Sequence, residues 1–300
     1  GQPAVGTPFK LIFRGKLIEP AGAFIRADDH GLLYGAGAFE TFRTYGGKCF
    51  LLEQHVERLW RTLLPLCIEK TDTLLASDLS RLESAVGELL TAEGVTDAVF
   101  RYTVSAGSGS FGLPSGPYRE PWDMLTIRPL PPEPSAAGAP LRVLETRRDS
   151  GEQYPRGKSF AYLNSLFAWR ELQHADMGAG AQGLMLDTRG SICEGITCNV
   201  FWIHGETLFT PSVETGLLPG VHLRHLLGLA PAVGLTVCEG CWPLEELFKA
   251  EAVGLINAAT GPVAVGEIIG TDGNVRWRRN AVDLAGFSRM VEAYRASLPQ

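Results

Sequence analysis

Apolar and polar positions alternate from Phe9 to Ile18 around a central Arg14-Gly15, which predicts strand, turn, strand. A glycine- and aromatic-rich stretch follows from Arg26 to Phe50, with Tyr45-Gly46-Gly47 marking a hairpin. The period then lengthens: Leu52, Val56, Leu59, Leu63 and Leu64 share one helical face. A second helix, capped by Ser77 and ended by Gly94, carries Leu79, Leu82, Val86, Leu89 and Leu90. Residues 97–107 and 123–130 read as strands on either side of a loop long enough to serve as a lid.

The stretch LPPEPSAAGAP, from Leu130 to Pro140, has no apolar period and reads as an interdomain connection. It divides the chain into an N-terminal domain (1–130), a linker (131–140) and a C-terminal domain (141–300). In the second domain, a strand from Leu141 leads through a polar loop to Lys158. The helix after it carries Leu163, Phe167, Trp169 and Leu172, a core-facing pattern. Further strands fall in 182–190, 199–211, 235–240, 252–257 and 263–270, with short helices at Val221–Leu229 and Pro243–Lys249. RWRRN, from Arg276 to Asn280, reads as a solvated turn before a last helix capped by Asn280 and using Val282, Phe287, Met290, Val291 and Tyr294.

Composition narrows the function classes. Three hundred residues, 45% of them hydrophobic, suffice for a sizeable core and about two domains. No apolar run reaches the ~18 residues of a membrane span, and no charged-then-apolar leader is visible, so a cytoplasmic location is expected. A net charge of −6 does not favour nucleic acid. Six scattered cysteines read as reduced thiols. Cys238 and Cys241 have CxxC spacing without a second ligand pair, and His222 and His225 lack a third ligand, so no metal site is expected.

Among six lysines only Lys158 opens onto an apolar run, Ser-Phe-Ala-Tyr-Leu. Desolvation there favours the neutral amine, a nucleophile suited to an aldehyde, although snorkelling from a helix start is the ordinary alternative. Gly220 and Val221 open a helix whose first amides suit an anion. Arg58 lies on the polar side of its helix, either solvated or clamping a phosphate. Glu194 lies between a turn and a strand, as an exposed carboxylate or one awaiting a cationic partner. Arg43 and Arg101 sit in strands, facing outward or converging on a substrate carboxylate.

The order of DHGLLYGAGAFET, HVERL, GKSFAYLNSL, DTRGSICEGITCNVFW, LFTP and LLPGVHLR resembles the class IV aminotransferases. These are the fold-type IV pyridoxal-phosphate (PLP) enzymes, which include branched-chain and D-amino-acid aminotransferases and aminodeoxychorismate lyase. The resemblance runs from about Arg26 to Val265. It implies an α/β (α+β) fold with a small N-terminal α/β domain and a larger, barrel-like C-terminal domain. It also implies a homodimer acting on an amino acid and a 2-oxo acid, with no nucleic-acid or membrane partner.

By resemblance, Lys158 would form the Schiff base with PLP and shuttle the proton. Glu194 would pair with the pyridine nitrogen. Arg58 would bind the phosphate with Gly220, Val221 and His222 at the helix start. Tyr162, Asn164 and Asn257 would line the cofactor, and Tyr34, Phe39, Arg43 and Arg101 the substrate. The chain departs from the family at His222, where threonine is usual, and at Ala258, where branched-chain enzymes commonly carry a phosphate-binding threonine. Asn257-Ala258 resembles the lyase branch, whereas Phe111 stands where that branch has an arginine. Transamination is the main expectation and lyase activity the alternative, with a non-catalytic binding protein of the same fold a third.

Overall fold

The computed structural model describes residues 9–149, 151, 155–280 and 285–300. By its contacts the chain forms two compact units: residues 1–131 with 157–160 and 299–300, and residues 132–156 with 161–298.

Unit one contains β1 (Leu11–Phe13), β2 (Lys16–Ile18), α1 (His30–Tyr34), β3 (Gly37–Tyr45), β4 (Lys48–Cys49), α2 (Leu52–Leu63), α3 (Leu79–Glu93), β5 (Val99–Ser105) and β6 (Trp122–Arg128). Its antiparallel sheet runs β2-β1-β6-β5-β3-β4. The amphipathic α2 buries Leu59 and Leu63, and α3 buries Leu82, Val86 and Leu89, in one core with Phe42, Phe100 and Leu125. The α3 cap is Asp78, whose carboxylate accepts from the Ser80 amide, rather than the adjacent Ser77. Ser77 instead donates its hydroxyl to the Thr71 carbonyl.

One piece of this sheet comes from far along the chain. β4 pairs with β3 only at Thr44 and Tyr45, which leaves the start of that edge open. Residues 157–160 fill it: the Phe39 amide donates to the Lys158 carbonyl (2.9 Å) and the Phe160 amide to the Gly37 carbonyl (3.2 Å). Glycine is required beneath, because a Cβ at Gly37 would overlap the Phe160 ring and lie 2.6 Å from the Val104 carbonyl oxygen.

Unit two contains β7 (Ala139–Val143), α4 (Leu163–His174), β8 (Gln182–Leu186), β9 (Ile192–Gly195), β10 (Asn199–His204), β11 (Thr207–Pro211), α5 (Val221–Leu229), β12 (Thr236–Gly240), α6 (Leu244–Leu247), β13 (Ala252–Asn257), β14 (Gly261–Ile269), β15 (Val275–Arg278) and α7 (Ala285–Ala296). Its mixed sheet runs β12-β11-β10-β13-β14-β7-β8-β9, with β15 also on β14. The sheet curls so that β9, last in that order, returns against β10, as expected of the barrel-like domain. Val200, Trp202, Val253, Val265 and Ile268 fill its core.

Two expectations fail here. RWRRN does not form a solvated turn: Arg276 to Arg278 belong to β15, and buried Trp277 donates to the Ala250 carbonyl at 3.0 Å. In α4, Ser165, Ala168 and Leu172 face inward, while Leu163, Phe167 and Trp169 are 69%, 66% and 46% exposed. Small side chains let the helix lie close, so the larger apolar ones ride outward. The expected cap and Val282 of the last helix concern a helix start that lies outside the described residues. Among the described residues, no helix is long and apolar enough to cross a membrane.

Candidate functional site

In unit one, the edge pairing places Lys158 beside Phe39, with Nζ 4.9 Å from the ring centroid. Arg101, opposite Thr41 on β5, lays its guanidinium 3.7 Å from the same centroid. One aromatic ring therefore carries the candidate amine and a candidate carboxylate-binding cation. Arg43 does not join them. Four residues further along β3, it stacks on Tyr45 at 3.9 Å and donates through Nε to the Thr44 carbonyl. Tyr34 is exposed and packs edge-on against His30.

Arg58 is buried against a carboxylate that the sequence motif did not single out. Its Nε and Nη2 donate to the two oxygens of Glu40 at 3.0 and 2.6 Å, and His55 Nδ1 donates to Oε1 at 2.7 Å. Burial would raise the Glu40 pKa, but the charge of Arg58 and the His55 bond outweigh it and hold the carboxyl at about 2. His55 is shifted down, mainly by burial, with Arg58 and Lys158 adding like-charge repulsion against the pull of Glu40.

The 107–118 loop is pinned at both ends by His30. A carbonyl can only accept, so His30 Nε2 donates to the Ser110 carbonyl at 2.6 Å, and Nδ1 accepts from the Tyr118 hydroxyl at 2.7 Å. Phe111 and Leu113 at the tip are 80% and 78% exposed.

In unit two, Glu194 on β9 is buried among hydrogen-bond donors. Arg156 Nη2 donates to Oε1, the Leu218 amide donates to Oε2 at 3.0 Å, and Arg148 Nε lies 2.9 Å from Oε1 as an off-axis ion pair. Burial draws Arg148 below the usual arginine range, opposed by the charge of Glu194. A carboxylate offers about four acceptor directions, so Glu194 retains capacity for a further N–H donor. Neither arginine was singled out from sequence. Asn164 is drawn into the same network: its Oδ1 accepts from Arg148 and the Asp149 amide, and its Nδ2 donates to the Arg147 carbonyl. Tyr162 is the N-cap residue of α4 and makes no capping bond there.

α5 starts at Gly220-Val221 with no side-chain cap. A side chain at Gly220 would overlap Asn199 Oδ1, and Asn199 Nδ2 donates to the Leu218 carbonyl at 3.1 Å, so backbone packs tightly there. His222 supplies no exposed substitute for a threonine hydroxyl; its Nδ1 lies 2.7 Å from the Tyr294 hydroxyl. Asn257 Oδ1 accepts from the amides of Ala259 and Thr260, and Nδ2 donates to the Thr197 carbonyl, so its side chain shapes a turn. Among the described residues, no acid, histidine and cysteine group could hold a metal.

Each unit by itself carries groups whose chemistry suits PLP: a half-buried amine and a buried guanidinium in unit one, and a buried carboxyl group and uncapped helix amides in unit two. Comparison with known proteins agrees. The family model for amino-transferase class IV matches residues 37–268. An aminodeoxychorismate lyase of Bacillus subtilis strain 168 is 37% identical over 250 residues, covering 83% of this chain and 83% of that protein. A putative branched-chain-amino-acid aminotransferase of Methanocaldococcus jannaschii is 31% identical over 262 residues, covering 87% of this chain and 88% of that protein. Among solved structures, the Escherichia coli branched-chain amino acid aminotransferase aligns with a TM-score of 0.79 at 22% identity, over 97% of this chain and 94% of that one. The 4-amino-4-deoxychorismate lyase of Pseudomonas aeruginosa aligns at 0.77 and 27%, over 92% and 96%. The chain belongs to the class IV aminotransferase family, a family of PLP-dependent enzymes.

Proposed function

We propose that this chain is a PLP-dependent aminotransferase moving an amino group between an amino acid and a 2-oxo acid. The observation that carries this reading is the meeting of two groups on Phe39: the Lys158 amine and the Arg101 guanidinium lie against one ring. Bound PLP supplies an aldehyde for the amine and a ring that accepts electrons. Lys158 would supply the amine for that aldehyde and would hold or release a proton at Nζ. Glu194, oriented by Arg156 and Arg148, would accept the ring N–H. Arg58, oriented by Glu40, would offer its guanidinium to phosphate, and the first amides of α5 are by themselves a second candidate for that anion. Arg101 orients the substrate carboxylate.

Lyase activity on aminodeoxychorismate is a second reading, favoured by the 37% identity to the Bacillus subtilis enzyme and by Asn257-Ala258. A homodimer belongs to the proposal, supported by the exposed apolar residues of α4. So does a cytoplasmic setting, supported by six unpaired cysteines.

The test combines absorbance and turnover. Purified protein with PLP should show a visible-range band that borohydride removes and that Lys158→Ala lacks. A panel of L- and D-amino acids with 2-oxoglutarate should yield glutamate. No band on adding PLP refutes the cofactor assignment; a band without glutamate refutes transamination. Pyruvate release from aminodeoxychorismate in its place establishes the second reading.

A further inference from the structure

Tyr294, on α7, touches both turns of unit two that the family resemblance associates with the cofactor phosphate. It is 2% exposed and its hydroxyl lies 2.7 Å from Nδ1 of His222, the second residue of α5, itself 3% exposed. One turn further along α5, the His225 ring meets the Tyr294 ring edge-on at 5.9 Å, and His225 Nε2 lies 2.8 Å from the Ser297 hydroxyl. The flank of the tyrosine ring lies over Gly261, where an added Cβ would sit 2.9 Å from Cε1. Gly261 closes the turn that Asn257 shapes through the amides of Ala259 and Thr260. Asn257 and Asn199 tie that turn and the approach to α5 into neighbouring backbone.

Breaking a hydrogen bond this deeply buried is costly. The bond ties the first turn of α5 to α7. A threonine there would offer its hydroxyl at the helix mouth; histidine instead reaches back into the core.

We propose that Tyr294 is a positioning residue for the phosphate end of the cofactor. Through His222 it fixes the first turn of α5, and through its ring it fixes the 257–261 turn, so one side chain of α7 sets two phosphate-facing backbones. The inference rests on the PLP reading above.

The experiment titrates apoprotein with PLP and, separately, with pyridoxal, which lacks the phosphate, following the visible band. Wild-type protein that binds neither overturns the PLP reading and this inference with it. If wild type binds, Tyr294→Phe, which keeps the ring on Gly261 but removes the hydroxyl, should weaken PLP about tenfold and leave pyridoxal unchanged. Equal loss for both ligands means general loosening and overturns the proposal, as does unchanged PLP affinity. His222→Leu, read by the same ratio, decides if Tyr294→Phe does not fold. His222→Gln, whose amide can meet the tyrosine hydroxyl, should recover part of the loss.

Discussion

Replacing Gly37 with alanine should detach the lysine-bearing segment from β3 while leaving the rest of the sheet in place. The added Cβ would lie 2.6 Å from the Val104 carbonyl and overlap the Phe160 ring. Overpacking of this kind costs about 1–3 kcal/mol. β5 cannot give way, because it is bonded to β3 on one side and β6 on the other. Residues 157–160 hold that edge through backbone hydrogen bonds worth about 0.5–1.5 kcal/mol each, so their release relieves the overlap with Phe160 at comparable cost, and the contact with the Val104 carbonyl is left to a small shift of β3. The assay is amide hydrogen exchange with fragment-level resolution. The Phe39 amide, whose acceptor is the Lys158 carbonyl, should lose about tenfold or more in protection, while the amides of β5 keep theirs. The PLP band should weaken in parallel. Unchanged protection at Phe39 with an unchanged melting temperature would refute the reasoning, since the two atoms cannot share that space.

Two further predictions test the charge network and the outer face. Glu40→Gln should destabilise the protein by about 3–5 kcal/mol at neutral pH, since Arg58 loses a buried partner. In the wild type the Glu40 pKa is lowered from 4.5 to about 2, so its contribution is present above the unfolded value and is lost as pH falls through that window. At about 1.4 kcal/mol per unit this amounts to about 3 kcal/mol. Urea unfolding across that range should show it in the wild type and not in the variant, and parallel curves would contradict it. Phe167→Glu, on the exposed face of α4, should convert a dimer to a monomer in light scattering coupled to gel filtration; a monomeric wild type would end the dimer proposal.

The residues proposed to carry cofactor chemistry are legible as candidates because they lie in short contiguous motifs around Arg58, Lys158 and Glu194. Their supports are not. Glu40 and His55 reach Arg58 across a strand and a helix, and no local period announces that meeting. Arg148 and Arg156 fall in the stretch that reads only as a polar loop, because their burial depends on a carboxylate far along the chain. The helices of unit one were readable because their apolar stripes match the faces they bury. α4 was misread because packing favoured its small residues over its large ones. In β15 the alternation of Val275 and Trp277 was present but masked by arginines at the intervening positions.

Because residues 157–160 complete the edge of β3, the N-terminal sheet leaves the ribosome one strand short. Synthesis at about 5–20 residues per second makes the roughly 30 intervening residues the work of a few seconds. During that interval the amide of Phe39 and the carbonyl of Gly37 lack their native partners and are open to foreign strands. A fragment ending near residue 131 would keep that exposed edge permanently. The same four residues that bring the lysine to its place thus also end the period in which the nascent sheet is open to mispairing.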